Sequence, residues 1–199
     1  MFHLVGDLVG LLDALSAETA VIAGHDWGGP VAWHSALLRP DRFRGIIGLS
    51  VLYRQRAAVH PSTVMPQTET ALFYQLYFQH PGVAEAEFER DPKTTLKKML
   101  YSASGDAPVG AGGAWEAGPN TGMVNRQTGL LGDMTDPQVL PSWLKTSDID
   151  YYAAEFARTG FRGGPNWYRN IDRNWELLAP TPAQKFQFRP STLPATGIW

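Results

Sequence analysis

The chain has 199 residues, 44% hydrophobic and 18% charged, which fits a single domain or a core with an appendage and excludes a disordered polypeptide. With 17 basic against 19 acidic residues the formal charge is −2, so nothing favours a nucleic-acid partner. The absence of cysteine removes disulfides, thiolate nucleophiles and Cys-ligated zinc, and no apolar run or leader marks a membrane span or export; the chain is read as cytoplasmic.

Leu4, Val5, Leu8, Leu11, Leu12 and Leu15 recur at helical spacing, predicting a helix over 3–15. It opens without a capping residue or a preceding strand, which suggests further core upstream. Residues 19–23 (Thr-Ala-Val-Ile-Ala) read as a short strand buried on both faces. A Gly-rich turn leads to a helix over 30–38, with Pro30 in its first turn and Pro40 as its stop. Residues 45–51 read as a second buried strand, so helix–strand–turn–helix–strand implies parallel strands joined by a crossover.

After Tyr53 the pattern changes. Residues 54–68 read as a linker; helices are predicted over 69–79, 83–90 and 94–101, and a Gly-rich loop over 103–122. Ser147 and Asp150 resemble a capping box opening a helix that Gly160 closes, and Pro165 opens a last helix to about Leu178. Residues 54–178 thus read as a helical insertion without a convincing strand. The plentiful aromatics (7 Trp, 7 Tyr) suit a thick core or an apolar pocket.

The informative string is Gly24-His25-Asp26-Trp27-Gly28-Gly29, between the first strand and the second helix. It has the strand–turn–helix setting of a nucleophile elbow, with Asp where such enzymes often carry Ser. Glycines at 24 and 28 are expected to keep the sharp turn clear. The Trp27 N–H and the positive end of the helix would face the reacting group. The competing reading is a tight turn with a solvated Asp cap. A carboxylate nucleophile suits displacement at an sp³ carbon, giving an alkyl ester that water must cleave. Both strained-ring opening and halide displacement fit. Ring opening also needs an acid for the emerging alkoxide, which Tyr can supply.

With these residues the chain resembles the soluble epoxide hydrolase family of the α/β-hydrolase fold. The resemblance runs from residue 1 to about 180. It is carried by Gly24 to Gly29, by Tyr74-Gln75-Leu76-Tyr77-Phe78-Gln79 and by Asn166-Trp167-Tyr168-Arg169-Asn170. It implies a partial α/β-hydrolase core over 1–53, parallel strands with flanking helices, a mostly helical cap over 54–178, and an aberrant tail over 179–199. It also implies Asp26 as nucleophile, Tyr74 and Tyr168 as paired acids, and Trp27 as an oxyanion donor. Phe78 and Trp167 are the implied pocket walls. The substrate would be a small-molecule epoxide opened to a vicinal diol, with no metal or organic cofactor. A haloalkane dehalogenase-like hydrolase and a non-catalytic truncated product are the alternatives.

Other candidates have plainer readings. Tyr74 and Tyr77 share a helix, and residue patterning does not choose between them; only the resemblance favours Tyr74. Tyr168 could instead pack on Trp175. His25 reads as a hydrogen-bonded core histidine, Trp33 and His34 as helix packing, and Asp148, Asp150 and Asp172 as surface charges. The family's later acid and histidine have no counterpart, since all five His precede residue 81. The family's upstream strands and second oxyanion loop are also absent from these residues. Pro190 and Pro194 argue against a central strand in the tail. One choice of synonymous codons for 183–199, read from one base earlier, gives GAKIPVPALYLAGDRDL, the strand and acid the resemblance implies; a frameshift is therefore expected.

Overall fold

The computed structural model describes residues 1–107 and 121–179. Both the 13 residues between them and residues 180–199, with every expectation for the tail, lie outside the described residues. The described residues form two compact units. One comprises 1–58 with 173–179, the other 59–107 with 121–172.

The first unit holds α1 (Phe2–Ala14), β1 (Ala20–His25), α2 (Gly28–Leu38) and β2 (Phe43–Leu49). β1 and β2 are parallel, with Ile22 opposite Ile46 and Gly24 opposite Gly48. Parallel neighbours need a crossover, and α2 provides it. Its Ala32, Trp33 and Leu37 are buried. The Trp33 ring lies over Gly48 so closely that a Cβ there would come within 2.7 Å of it. The indole N–H then donates to the carbonyl of Val51 at 2.9 Å. Arg42 ties down the turn after α1: its guanidinium donates to Asp13 at 2.7 Å and to the carbonyls of Glu18 and Ala17 at 2.9 and 3.2 Å.

The strands are not buried on both faces as their apolar runs suggested. Val21, Ile47 and Leu49 are 51%, 53% and 51% exposed. The paired register puts Val21, Ala23, His25, Ile47 and Leu49 on one face, while Ile22, Ile46 and Gly48 share the face under Trp33. Only that second face is covered by a helix among the described residues. His25 is consequently exposed rather than a core histidine.

The second unit contains β3 (Ala71–Phe73), α3 (Tyr74–Tyr77), α4 (Val83–Phe88), α5 (Pro92–Ser102), β4 (Met123–Asn125), α6 (Thr146–Thr159) and α7 (Gly163–Arg169). α8 (Ile171–Leu177) starts in this unit and groups with the first from Arg173 onward. Several expectations are corrected here. The stretch 69–79 is not one helix: Ala71–Phe73 pairs antiparallel with Met123–Asn125, and only one helical turn follows. The insertion therefore does contain strands. The expected linker includes a short 3-10 turn, Pro61–Val64. The last helix breaks at Asn170 into α7 and α8. Its Trp175 donates to the carbonyl of Ala57 and carries the Arg56 guanidinium 3.6 Å over its ring.

The core of this unit is built from Tyr77, Phe78, Phe88, Leu96, Val124, Leu130, Met134 and Phe161. Phe156 stacks on Phe161 at 4.3 Å. α6 opens two residues earlier than the expected capping box: Asp148, not Asp150, accepts from the backbone N–H of Lys145 at 2.9 Å. Gly160, at φ 72°, closes it as expected. No described helix is long and apolar enough to cross a membrane.

Candidate active site

The turn after β1 has the geometry that its sequence requires. Asp26 adopts φ 51°, a left-handed conformation rarely taken by a non-Gly residue. Its carbonyl accepts from the Gly29 N–H at 2.9 Å, which closes the turn into α2. A Cβ at Gly24 would lie 2.0 Å from the Gly28 carbonyl oxygen, so only glycine fits there. Gly28 itself faces open space, contrary to expectation; the crowded second glycine is Gly29, where a Cβ would sit 3.1 Å from that of Val51. Asp26 is exposed, and the Trp27 N–H donates to its Oδ1 at 2.6 Å. His34 Nδ1 lies 2.6 Å from the Pro30 carbonyl within α2, and burial lowers its pKa, in keeping with a packing role.

In the second unit Tyr74 and Tyr168 come together. Their rings meet edge to face, 5.4 Å between centroids, and both touch Phe78, at 5.8 and 4.9 Å. Phe78 is buried beneath the pair, whereas Trp167 is 38% exposed. The Gln75 amide donates to Tyr74 Oη at 3.0 Å. The Gln79 amide donates to the Tyr168 carbonyl at 3.0 Å and to the Gln75 carbonyl at 2.8 Å.

Tyr77 is engaged differently. It is 9% exposed and donates to Glu87 Oε2 at 2.6 Å. Burial, reinforced by that carboxylate, pushes its phenol well above the ordinary tyrosine range. Glu87 also accepts from the backbone N–H groups of Leu130 and Leu131, at 3.1 and 2.8 Å. Asp148 caps α6 and Asp150 pairs with Lys93 at 2.6 Å. Asp172 is more than a surface charge: it accepts from the Ser62 N–H at 3.1 Å and from the Ser62 hydroxyl, with His60 Nδ1 3.9 Å away. No metal-binding group of three or more His, Asp or Glu exists among the described residues.

Gln75, Gln79 and Arg169, which hydrogen-bond around the tyrosine pair, all lie inside the motifs at 74–79 and 166–170. The signal available was their position: Gln75 and Gln79 lie four apart on the segment bearing Tyr74, and Arg169 directly follows Tyr168.

A strand–turn–helix elbow carrying an acid, set on a parallel strand pair, is an arrangement of the α/β-hydrolase fold. Residues 1–129 match the family model described as alpha/beta hydrolase fold, and the chain belongs to that family. Within it, the chain is 42% identical over 178 residues to "Epoxide hydrolase A" of Mycobacterium tuberculosis, covering 89% of this chain and 53% of that protein. It is also 42% identical over 183 residues to "Epoxide hydrolase 2" of Siraitia grosvenorii, covering 89% and 52%. Among solved structures, epoxide hydrolase A from Mycobacterium thermoresistibile aligns with a TM-score of 0.72 at 42% identity, over 88% of this chain and 53% of that one. The chain spans about half the length of the curated relatives it matches.

Proposed function

We propose that this chain carries the ester-forming half of an epoxide hydrolase, acting in the cytoplasm on a small-molecule epoxide. The observation that carries the reading is Asp26, held at φ 51° with Oδ1 bound by the Trp27 N–H. That bond leaves Oδ2 as the attacking atom. An Oδ2–carbon bond forms as the ring carbon–oxygen bond breaks, and the released oxygen takes a proton from the phenol of Tyr74 or Tyr168. Oδ1 becomes the ester carbonyl oxygen and keeps its donor. When water later adds to that carbonyl, negative charge develops on the same atom, where the Trp27 N–H and the N-terminal end of α2 stabilise it. Trp167 supplies apolar surface for the substrate, while Phe78, buried, supports the two phenols from beneath. The epoxide hydrolase relatives and the cysteine-free composition support this reading.

The test is intact-mass spectrometry after incubation with styrene oxide. One added substrate mass is expected, mapped to the peptide containing Asp26 and absent in Asp26→Asn. Tyr168→Phe should slow the adduct while retaining some of it, because Tyr74 still donates; Tyr74→Phe with Tyr168→Phe should remove it. Halide release from a haloalkane, with no epoxide adduct, would point to dehalogenase chemistry instead.

A further inference from the structure

Arg169 follows Tyr168, and its guanidinium has five N–H donors, all of them used. Nε donates to the Phe78 carbonyl at 2.8 Å. Nη1 donates to Glu85 Oε1 at 2.6 Å and to Asn166 Oδ1 at 3.0 Å. Nη2 donates to Glu85 Oε2 at 2.9 Å and to the His80 carbonyl at 3.3 Å. The Arg169 and Glu85 side chains are only 11% and 10% exposed. The Gly82 N–H, donating to Glu85 Oε2 at 2.9 Å, anchors the carboxylate to the start of α4. The Gln79 amide adds the stitch to the Tyr168 carbonyl. The fork therefore grips the backbone directly after α3, the helix that starts with Tyr74, from a residue adjacent to Tyr168.

Resting on the function proposed above, we infer that Arg169, braced by Glu85, is a positioning residue that fixes the mutual placement of the Tyr74 and Tyr168 phenols. Arginine is required rather than any cation. Lysine can keep the charge beside Glu85, but it has no planar fork to reach the Phe78 and His80 carbonyls at the same time. Two acids delivering a proton to one oxygen tolerate little displacement, and misplacement of about 1 Å can cost about 10²-fold in rate.

The experiment compares Arg169→Lys and Arg169→Met with the unaltered chain by two readouts. One is the saturating rate of ester formation on Asp26 with styrene oxide, followed by intact mass. The other is the near-UV circular dichroism of the tyrosine pair, defined as the difference between the unaltered chain and Tyr168→Phe. The expected result is that Lys behaves like Met: the tyrosine signal is lost and the ester rate falls at least ~tenfold, with far-UV signal retained. A lysine variant that keeps both signal and rate would overturn the inference, because charge alone would then suffice. If the unaltered chain forms no ester, the functional reading fails and the tyrosine signal alone decides the positioning role. If the Arg169 variants do not fold, Glu85→Gln keeps the arginine and removes the carboxylate that braces it; an unchanged tyrosine signal in that variant would likewise overturn the inference.

Discussion

Gly24 and Gly28 look equivalent as letters flanking Asp26 and are opposite in physical terms. A methyl at 24 meets the Gly28 carbonyl at 2.0 Å, whereas one at 28 meets nothing within 4 Å. Gly24→Ala is therefore expected to cost about 3 kcal/mol or more, since only backbone movement relieves the clash. Gly28→Ala, in the first turn of α2, should shift stability by less than about 1 kcal/mol, and toward greater stability. Urea midpoints of the two variants check this contrast. The elbow was legible because its information is local: one acid, its neighbouring glycines, a strand before and a helix after. The assignment of glycine roles was not, because it depends on which carbonyl crosses above which Cα. The tyrosine motif shows the same division. Tyr74 and Tyr77 are indistinguishable by spacing, and the half-buried carboxylate that occupies Tyr77 comes from Glu87, ten residues on.

Among the elements, α5 is the clearest case of a helix set by its own ends. Asp91 accepts from the Thr94 N–H at 3.3 Å and the Thr94 hydroxyl at 2.6 Å, and Pro92 occupies the position where a missing N–H does no harm. The expected start at 94 overlooked this Asp-Pro signal. Removing the cap in Asp91→Ala should cost about 1 kcal/mol near neutral pH. The bonds from Thr94 hold the Asp91 carboxyl below its ordinary value of 3.8. A lowered folded-state pKa means the cap's contribution is complete above that ordinary value and fades as pH falls through and below it. The gap between the unaltered chain and Asp91→Ala in thermal midpoints should accordingly narrow in acid. Elements that sequence did not disclose are those without local signals. β3 and β4 are three residues each and pair across some 50 positions of intervening chain. The apolar run that holds β3 continues into α3, so its period reads as one helix. The break at Asn170 has neither proline nor glycine to announce it.

At the scale of the whole molecule, the two half-reactions make unequal demands on these 199 residues. In the function proposed above, ester formation calls on Asp26 and a phenolic acid. Ester cleavage calls on a base that takes a proton from water, and the five histidines are His3, His25, His34, His60 and His80. His3 is exposed on α1, and His25 lies on the uncovered sheet face with Val21 and Leu49. His34 is committed to the Pro30 carbonyl, and burial disfavours its protonated form. His60 belongs to the second unit, beside Asp172. The bonds at Asp26 come from the Trp27 and Gly29 N–H groups. General-base assistance is worth about 10²–10⁴ in rate, so its loss slows hydrolysis far more than alkylation. The ester on Asp26 is therefore expected to accumulate to one equivalent with styrene oxide and to persist after excess epoxide is removed, with no vicinal diol above the solvent background. Time-resolved intact mass and chromatography of the diol measure the two arms separately. Adduct without diol is the expected pair of outcomes. Steady diol release over many turnovers would show that a group other than these histidines activates water at Asp26.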